Sequence, residues 1–440
     1  MIRLKDNSSK ELSLQSQELS VVRCLAGHSL KQLLKEHGDT LLIWPHSFAE
    51  SRNGEGDASL FTLTERTDTA VIQTGNLMGF IGYQATELAI TSRFTSTERD
   101  YFLHYMLLKA FNLHVFNLHH GLCRDEAFDF LIYLFPKVLL QALSQGLYKE
   151  YQKRSYNDAR VRGVIDIGRH LKLNSPPNGR IAYHTREYSY DNTVTQLIRH
   201  TIEYLGRTEL GRSILSSSDE MRTAVSRIIE NTPRYDAKER NQVVRRNLRP
   251  LSHPYYQAYR GLQKLCVQIL RHDKLMYHSS TEQVHGILFD GAVLWEEYLG
   301  TLLTPKGFEH PNNRTGQGRI HLSQTSKFPR YPDFYHRSGS VVIDAKYKRT
   351  TSRNDIHQVI AYMYRLQAQK GVFIMPEAQA EDTPQNSDEE MAHNEIYKLA
   401  GYGGTLTLYR LSIARQPQDT KDFATLMAGY ERTLLQELGI

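Results

Sequence analysis

The chain has 440 residues, 40% hydrophobic and 23% charged. That balance excludes wholesale disorder, and the length exceeds one compact core, so two or three domains are expected. Fifty-four Lys and Arg against 48 Asp and Glu leave a formal charge of +6, an excess that permits nucleic acid as a partner without requiring it.

The cysteines Cys24, Cys123 and Cys266 are far apart and form no CxxC pair, which argues against a disulfide framework or a cysteine zinc site and fits a reducing cytosol. The opening MIRLKDNSSKELSLQ lacks an apolar core of signal-peptide type. Residues 1–124 are predicted to be β-rich, with short strands at Val71–Thr74, Gly79–Tyr83 and Glu87–Ser92 and a turn at Gly75–Asn76. From Glu98 the spacing becomes helical through YFLHYMLLKAF. Residues 125–275 are predicted to be mainly helical. Their most apolar stretch, Phe128 to Leu143, is broken by Asp129, Pro136 and Lys137 and is too short to span a bilayer, so a cytoplasmic protein without a membrane partner is expected. RVRGVIDIGRH and RIAYHTREY interrupt this region as extended runs around a Ser175-Pro-Pro-Asn-Gly loop.

Residues 276–440 read differently. A helix is predicted over Leu288–Leu303, then a glycine-containing loop, short strands, a helix over Asn354–Gln369 and a strand Gly371–Pro376. Residues 377–395, with seven acids and no Lys or Arg, read as a solvated linker before a strand Thr405–Ile413 and a terminal helix. The fold class expected is α+β and multidomain.

Chemistry concentrates in YPDFYHRSGSVVIDAKYK, residues 331–348. Ser338-Gly339 suits a tight turn between two extended runs. A two-residue loop there places Arg337 opposite Ser340 and Asp333 opposite Asp344, with Cβ atoms roughly 5 Å apart. Strand alternation puts Lys346 on the same face as Asp344, while Ile343 and Ala345 point away towards a core. Two facing carboxylates repel, and a divalent cation reverses the sign of that energy. Hard oxygen ligands suit Mg²⁺. Asp355, Gln358 and Tyr362 follow at i, i+3 and i+7 on one helix face.

Pro332-Asp333 with Asp344-Ala345-Lys346 resembles the PD-(D/E)xK nuclease superfamily, a short motif expected by chance in ~0.1 of chains of this length. Gln358-x-x-x-Tyr362 resembles the QxxxY element of one branch of it. The superfamily pattern also implies an acid on a preceding helix, for which Leu294-Trp-Glu-Glu offers Glu296 and Glu297. Glu296 matches the Leu-aromatic-Glu pattern, whereas helical phase places Glu297 nearer the Leu294/Tyr298 stripe.

Within that superfamily the run Ile343-Asp-Ala-Lys-Tyr-Lys, with Asp355, Gln358 and Tyr362, resembles McrC, the nuclease subunit of the McrBC 5-methylcytosine restriction system. Arg162-Gly-x-Ile-Asp166, Tyr190-Asp-Asn192 and Ile90-Thr-Ser-Arg-Phe94 resemble further elements of McrC-like chains. The resemblance implies an endonuclease hydrolysing DNA phosphodiesters with a C-terminal PD-(D/E)xK domain over 276–440. Asp333 and Asp344 would hold Mg²⁺, or Mn²⁺ in its place, with Glu296 as a further ligand. Lys346 would assist the attacking water, and Gln358 and Tyr362 would position that water or the DNA backbone. It also implies an McrB-like AAA+ GTPase hexamer as partner, contacted by residues 1–124, and double-stranded DNA carrying modified cytosine as substrate. The chain has no Gly-Lys pair and so no P-loop; GTP would enter only through the partner. Two rivals are a non-catalytic GTPase-activating subunit and a stand-alone repair or recombination nuclease.

Other features carry less. His104, His114, His119, His120 and Cys123 invite a zinc reading, but on an apolar helical segment packed or surface histidines are the simpler account. The basic stretch Arg234 to Arg249 suits either a phosphate backbone or a salt-bridged helix face. Arg314-Thr-Gly-Gln-Gly-Arg319 reads as a loop before it reads as a phosphate cradle.

Overall fold

The computed structural model describes residues 1–37, 41–45, 59–67, 69–84, 86–97, 99–110, 126–277, 284–311, 313, 316–378, 394–401 and 403–439. Most of the acidic 377–395 segment, His114, His119, His120, Cys123 and Arg314 lie outside the described residues. The chain is a mixed α/β protein with several sheets. Its contacts divide it into two compact units, Met1–Tyr133 with Tyr277–Ile440, and Leu134–Met276. The three sequence segments 1–124, 125–275 and 276–440 are thus regrouped, the first and third forming one unit.

The strand His285–Asp290 is the reason. It lies inside a five-stranded sheet ordered Ile2–Lys5, Thr86–Thr91, Leu77–Tyr83, His285–Asp290, Leu41–Trp44. It runs antiparallel to Leu77–Tyr83 and parallel to Leu41–Trp44. Ile287 and Leu288 are both fully buried, and a short apolar run buried on both faces has no periodicity to separate strand from helix. The helix predicted from Leu288 therefore starts later, at Gly291, where the Asp290 carboxylate accepts the Ala292 and Val293 N–H groups at 2.9 and 3.3 Å. Two glycines let the paired strands approach: a Cβ on Gly79 would stand 2.3 Å from the Ile287 carbonyl oxygen, and one on Gly286 2.2 Å from that of Phe80.

The predicted turn at Gly75–Asn76 joins strands of different sheets. Ala70–Thr74 is the centre of a three-stranded sheet with Ser9–Leu12 and Phe61–Glu65. Two helices in the region read as β-rich, Ser16–Ala26 and Leu30–His37, bury Val21, Val22, Leu25, Leu30 and Leu33 in the same core. The local signal of the first is the Glu18 carboxylate, which accepts the Gln15 N–H at 3.1 Å.

The same unit holds a six-stranded sheet ordered Phe308–Glu309, Phe334–His336, Val341–Ala345, Lys370–Ala378, Thr405–Ile413, Glu395–Lys398. Val341–Ala345 runs parallel to Lys370–Ala378, joined by the helix Arg353–Leu366. Ser352 caps that helix by accepting the Asp355 N–H at 3.3 Å, and Asp355 answers by accepting the Ser352 N–H at 2.6 Å. Val342, Phe373, Met375, Leu406 and Leu408 pack with Val359, Tyr362 and Met363 of the helix. The helices Gly291–Leu303 and Thr420–Leu438 also contact this sheet.

The second unit departs from a mainly helical reading. Glu150–Asp158 is a strand, antiparallel to Ile181–Ser189 over nine residue pairs. Ile167–Leu173, whose first four residues belong to the run predicted as extended, is a helix because Asp166 accepts the Arg169 N–H at 3.1 Å and starts it. Helices Thr193–Leu205, Asp219–Glu230 and Ala258–Tyr277 complete much of the rest. Among the described residues no helix is long and apolar enough to cross a membrane.

His200, in Thr193–Leu205, lies 4.6 Å from the Tyr235 ring. Burial, then Arg240 and Arg199, lowers its pKa from 6.5 to about 4. The unfolded chain therefore takes a proton near pH 6.5 that the folded chain refuses until about pH 4. Stability is full above that window and falls as pH drops through it. Melting temperature measured against pH should fall less steeply there for His200→Gln than for the wild type; equal slopes would remove His200 as a cause.

Candidate active site

The hairpin register pairs Phe334 with Ile343 and Tyr335 with Val342. Continued by one residue, it sets Asp333 across from Asp344. The Gly339 φ of +73° supports the tight turn between the strands. Asp344 is fully buried near the C-terminal end of its strand. Asp333 is half-buried as a residue, and its Oδ2 accepts the Ala345 N–H at 2.9 Å. This bond ties the end of one strand to the other and holds the carboxylate beside its rival.

Lys346 completes the group. Its Nζ stands 2.7 Å from Asp344 Oδ2 and 4.0 Å from Asp355 Oδ1. Its backbone N–H donates to the Ile374 carbonyl at 3.0 Å, which also accepts the Trp295 indole N–H at 3.2 Å. The strand Lys370–Ala378 and the helix Gly291–Leu303 thus fix the backbone that carries the ammonium. Asp355 is engaged elsewhere, by Lys348 and by the Ser352 hydroxyl.

Glu296 lies on the helix Gly291–Leu303, near enough to Asp333 to act on its titration. Its Oε1 is 4.0 Å from His310 Nδ1. His310, which no sequence pattern singles out, shares Nδ1 with the Asp333 carbonyl at 3.1 Å and stacks on Phe334 at 4.5 Å. A Cβ on Gly300 would stand 3.0 Å from the His310 ring, so the glycine lets the helix pack close to it.

Gln358 and Tyr362 come together as predicted for one helix face, but they point to the backbone. The Gln358 amide donates to the Tyr362 hydroxyl, and that hydroxyl donates to the Tyr331 carbonyl at 3.0 Å. Tyr362 thereby anchors the Tyr331-Pro-Asp333 segment to the helix. Both residues line a cleft of about 560 Å³ with Arg330, Tyr331, Asn354 and His357. The cleft walls do not include Asp333 or Asp344, but both are near enough to one wall residue, Tyr362, to act on its titration.

The electrostatics follow from burial. Burial, then Asp344 and Glu296, pushes the Asp333 carboxyl well above its usual range, against the opposing pull of Lys346 and the Ala345 N–H. Burial also raises Asp344, with Lys346 opposing. For Lys346, burial pulls downward, but Asp344, Asp333 and Asp355 outweigh it and the pKa is raised, so it stays an ammonium. Ionised, Asp333, Asp344 and Glu296 against Lys346 leave two negative charges in excess. Asp344 Oδ1 has no hydrogen-bond partner among the described residues, and Oδ2 meets the Lys346 ammonium at 2.7 Å, which leaves lone pairs for a cation. The hard oxygen donors and the charge excess fit a divalent ion such as Mg²⁺. Among the described residues no three His, Cys, Asp or Glu side chains enclose a metal ion by themselves, so water or a backbone carbonyl would complete its shell.

The zinc reading gains nothing. His104 is buried in the helix Tyr101–Ala110, edge-on to the Tyr133 ring at 6.2 Å, and its companions lie outside the described residues.

A family described as a McrBC 5-methylcytosine restriction system component matches residues 72–376, more than half of the chain and all six residues singled out for the site. No curated protein matches the chain. Two solved structures similar to it come from Thermococcus gammatolerans. One is a refined half-complex from a tetradecameric assembly of McrB AAA+ hexamers with bound McrC, 15% identical over 97% of this chain and 99% of that chain, with a TM-score of 0.45. The other is a cryo-EM structure of the McrBC complex, 15% identical over 69% of this chain and 87% of that chain, with a TM-score of 0.33.

Asp344→Asn keeps the shape of the side chain and removes one of the facing charges. In the presence of a chelator the variant should resist guanidinium unfolding better than the wild type, by about 1 kcal/mol. A less stable variant would mean that Asp344 serves the fold as a partner of Lys346.

Proposed function

The chain belongs to the McrBC 5-methylcytosine restriction system component family, and on that premise we propose that it is the McrC-like subunit, a metal-dependent DNA endonuclease. The observation that carries this reading is the pairing of Asp333 with Asp344 and of Asp344 with Lys346 at 2.7 Å. The order of elements supports it: the helix Gly291–Leu303, three antiparallel strands ending in Val341–Ala345, the helix Arg353–Leu366 and the parallel strand Lys370–Ala378. That is the arrangement a PD-(D/E)xK domain needs.

Asp333 and Asp344 would hold Mg²⁺, or Mn²⁺ in its place, with Glu296 towards the Asp333 side and the Ala345 carbonyl close by. When bound, the ion supplies Lewis acidity towards a phosphoryl oxygen and makes water more acidic. The Lys346 ammonium donates hydrogen bonds to the attacking water or to the phosphoryl oxygen that gathers charge, and so acts as a charge stabiliser rather than a base. Tyr362, itself met by the Gln358 amide, holds the Tyr331 carbonyl and thereby keeps Asp333 in register. The cleft beside them, with Arg330 and His357 at its walls, is the seat for the DNA backbone leading to the cut. On this reading its partner would be an McrB-like AAA+ GTPase hexamer that hydrolyses the GTP, and its substrate DNA with modified cytosine, in keeping with a 5-methylcytosine restriction system component.

Cleavage of methylated duplex DNA should require Mg²⁺, the partner GTPase and GTP, and should fall at least about 1,000-fold in Asp333→Ala, Asp344→Ala and Lys346→Ala. Cutting by the chain alone, still dependent on Asp344, would make it an independent nuclease. Asp344-independent stimulation of GTP hydrolysis without any cutting would make it a regulator.

Arg330→Ala should weaken DNA binding across sequences and reduce the salt dependence by about one counterion, read by fluorescence anisotropy. An unchanged salt slope would remove the cleft from the DNA path.

A further inference from the structure

Arg93 is a buried cation remote in sequence from the catalytic hairpin. It is 7% exposed, and its guanidinium lies 3.6 Å from Asp6 Oδ2, itself fully buried. Its backbone N–H also donates to Asp6 Oδ1, at 2.6 Å. The other end of the guanidinium donates to the backbone carbonyl of Tyr347. It lies over the Tyr347 ring as well, 4.7 Å from the centroid. Tyr347 is the residue after Lys346.

The neighbours of Arg93 seize the same residue. The Ser92 hydroxyl is 2.7 Å from the Tyr347 hydroxyl, and the Phe94 ring meets the Tyr347 ring edge-on at 5.1 Å. Three consecutive residues, Ser92-Arg93-Phe94, therefore grip Tyr347 by its hydroxyl, carbonyl and ring. A Cβ on Gly291 would come within 2.8 Å of the Tyr347 ring, so the helix that carries Glu296 starts against the same side chain.

This joint is poorly explained by stability. Burial pushes the Asp6 carboxyl up to about 6 even with Arg93 beside it, and a buried ion pair is often no more stabilising than apolar residues of equal volume. What the guanidinium does supply is direction: its planar fork reaches a carboxylate and a carbonyl at once. The Lys346 backbone is then held on both sides, by the Ile374 carbonyl at its own N–H and by Arg93 at the next carbonyl.

We propose that Arg93 is a positioning residue for the reacting centre: its grip on the Tyr347 carbonyl sets the backbone from which Lys346 projects onto Asp344. The N-terminal sheet is on this account part of the catalytic apparatus. The proposal rests on the nuclease reading for its kinetic consequence, and on geometry alone for its structural one.

The test uses the full chain with its GTPase partner. Arg93→Met removes the fork. Arg93→Lys keeps a charge for Asp6 but cannot reach both partners in the same way, and it guards against loss of folding. Leu25→Ala, in the apolar core of the N-terminal sheets, serves as a control for destabilisation. Arg93→Met should lower kcat by about 100-fold and Arg93→Lys by about 10-fold, with KM unchanged, since small misplacements of a catalytic group have effects of this order. Leu25→Ala, compared at equal distance below its melting temperature, should leave kcat near wild type. Independently of cutting, backbone hydrogen exchange over residues 345–348 should quicken in both Arg93 variants while Lys370–Ala378 stays protected. Wild-type exchange over 345–348, or a kcat no lower than that of Leu25→Ala, would overturn the proposal. If the wild type cuts no DNA under any condition, the nuclease reading falls, and the exchange measurement still decides whether Arg93 holds this backbone.

Discussion

Two carboxylates face each other across the Phe334–His336/Val341–Ala345 hairpin, with one ammonium at 2.7 Å. Like charges about 5 Å apart at a partly shielded site repel by roughly 3 kcal/mol, and burial adds to the cost. A fold keeps such a confrontation only where the surroundings hold it from every side. Here the Ala345 N–H holds Asp333, the Ile374 carbonyl holds the Lys346 backbone, and Tyr362 holds Tyr331. The strain sits where a cation would relieve it, which links the energetics of the hairpin to the proposed chemistry.

The second constraint is topological. His285–Asp290 is a middle strand of the N-terminal sheet and passes, through the Asp290 cap, directly into the helix that bears Glu296. A segment that looks like the start of an independent nuclease domain is thus stitched into the preceding region. The Asp6–Arg93–Tyr347 joint is a second stitch, placed beside Lys346. Together they make one unit out of residues separated by the whole of Leu134–Met276.

The site was legible because hairpin geometry is local. Ser338-Gly339 sets the turn, the turn sets the register, and a period of two sets which side chains share a face. Helical spacing similarly brought Gln358 to Tyr362. The role of that pair was not legible, because spacing says which residues meet on a helix and nothing about what the helix packs on; the hydroxyl goes to the Tyr331 carbonyl. Helical phase does not separate Glu296 from Glu297; the choice of Glu296 rests on the resemblance to the Leu-aromatic-Glu pattern, and its proximity to Asp333 comes from the packing of the helix.

By itself, then, the sequence determined the elements whose signals lie within a few residues: the turn, the alternating strands, the capped crossover helix and the carboxylate–lysine face. It misread Leu288 as helix and Glu150–Asp158 as part of a helical region. Burial on both faces erases periodicity in the first, and the second becomes a strand only by pairing with Ile181–Ser189. Only the tertiary structure decided that Ser92, Arg93 and Phe94 close on Tyr347, that His310 lies between Glu296 and the Asp333 backbone, and that the first and last parts of the chain share one unit. These are contacts between residues tens to hundreds of positions apart. Their geometry is set by how sheets and helices pack, and no local pattern of residue types carries that information.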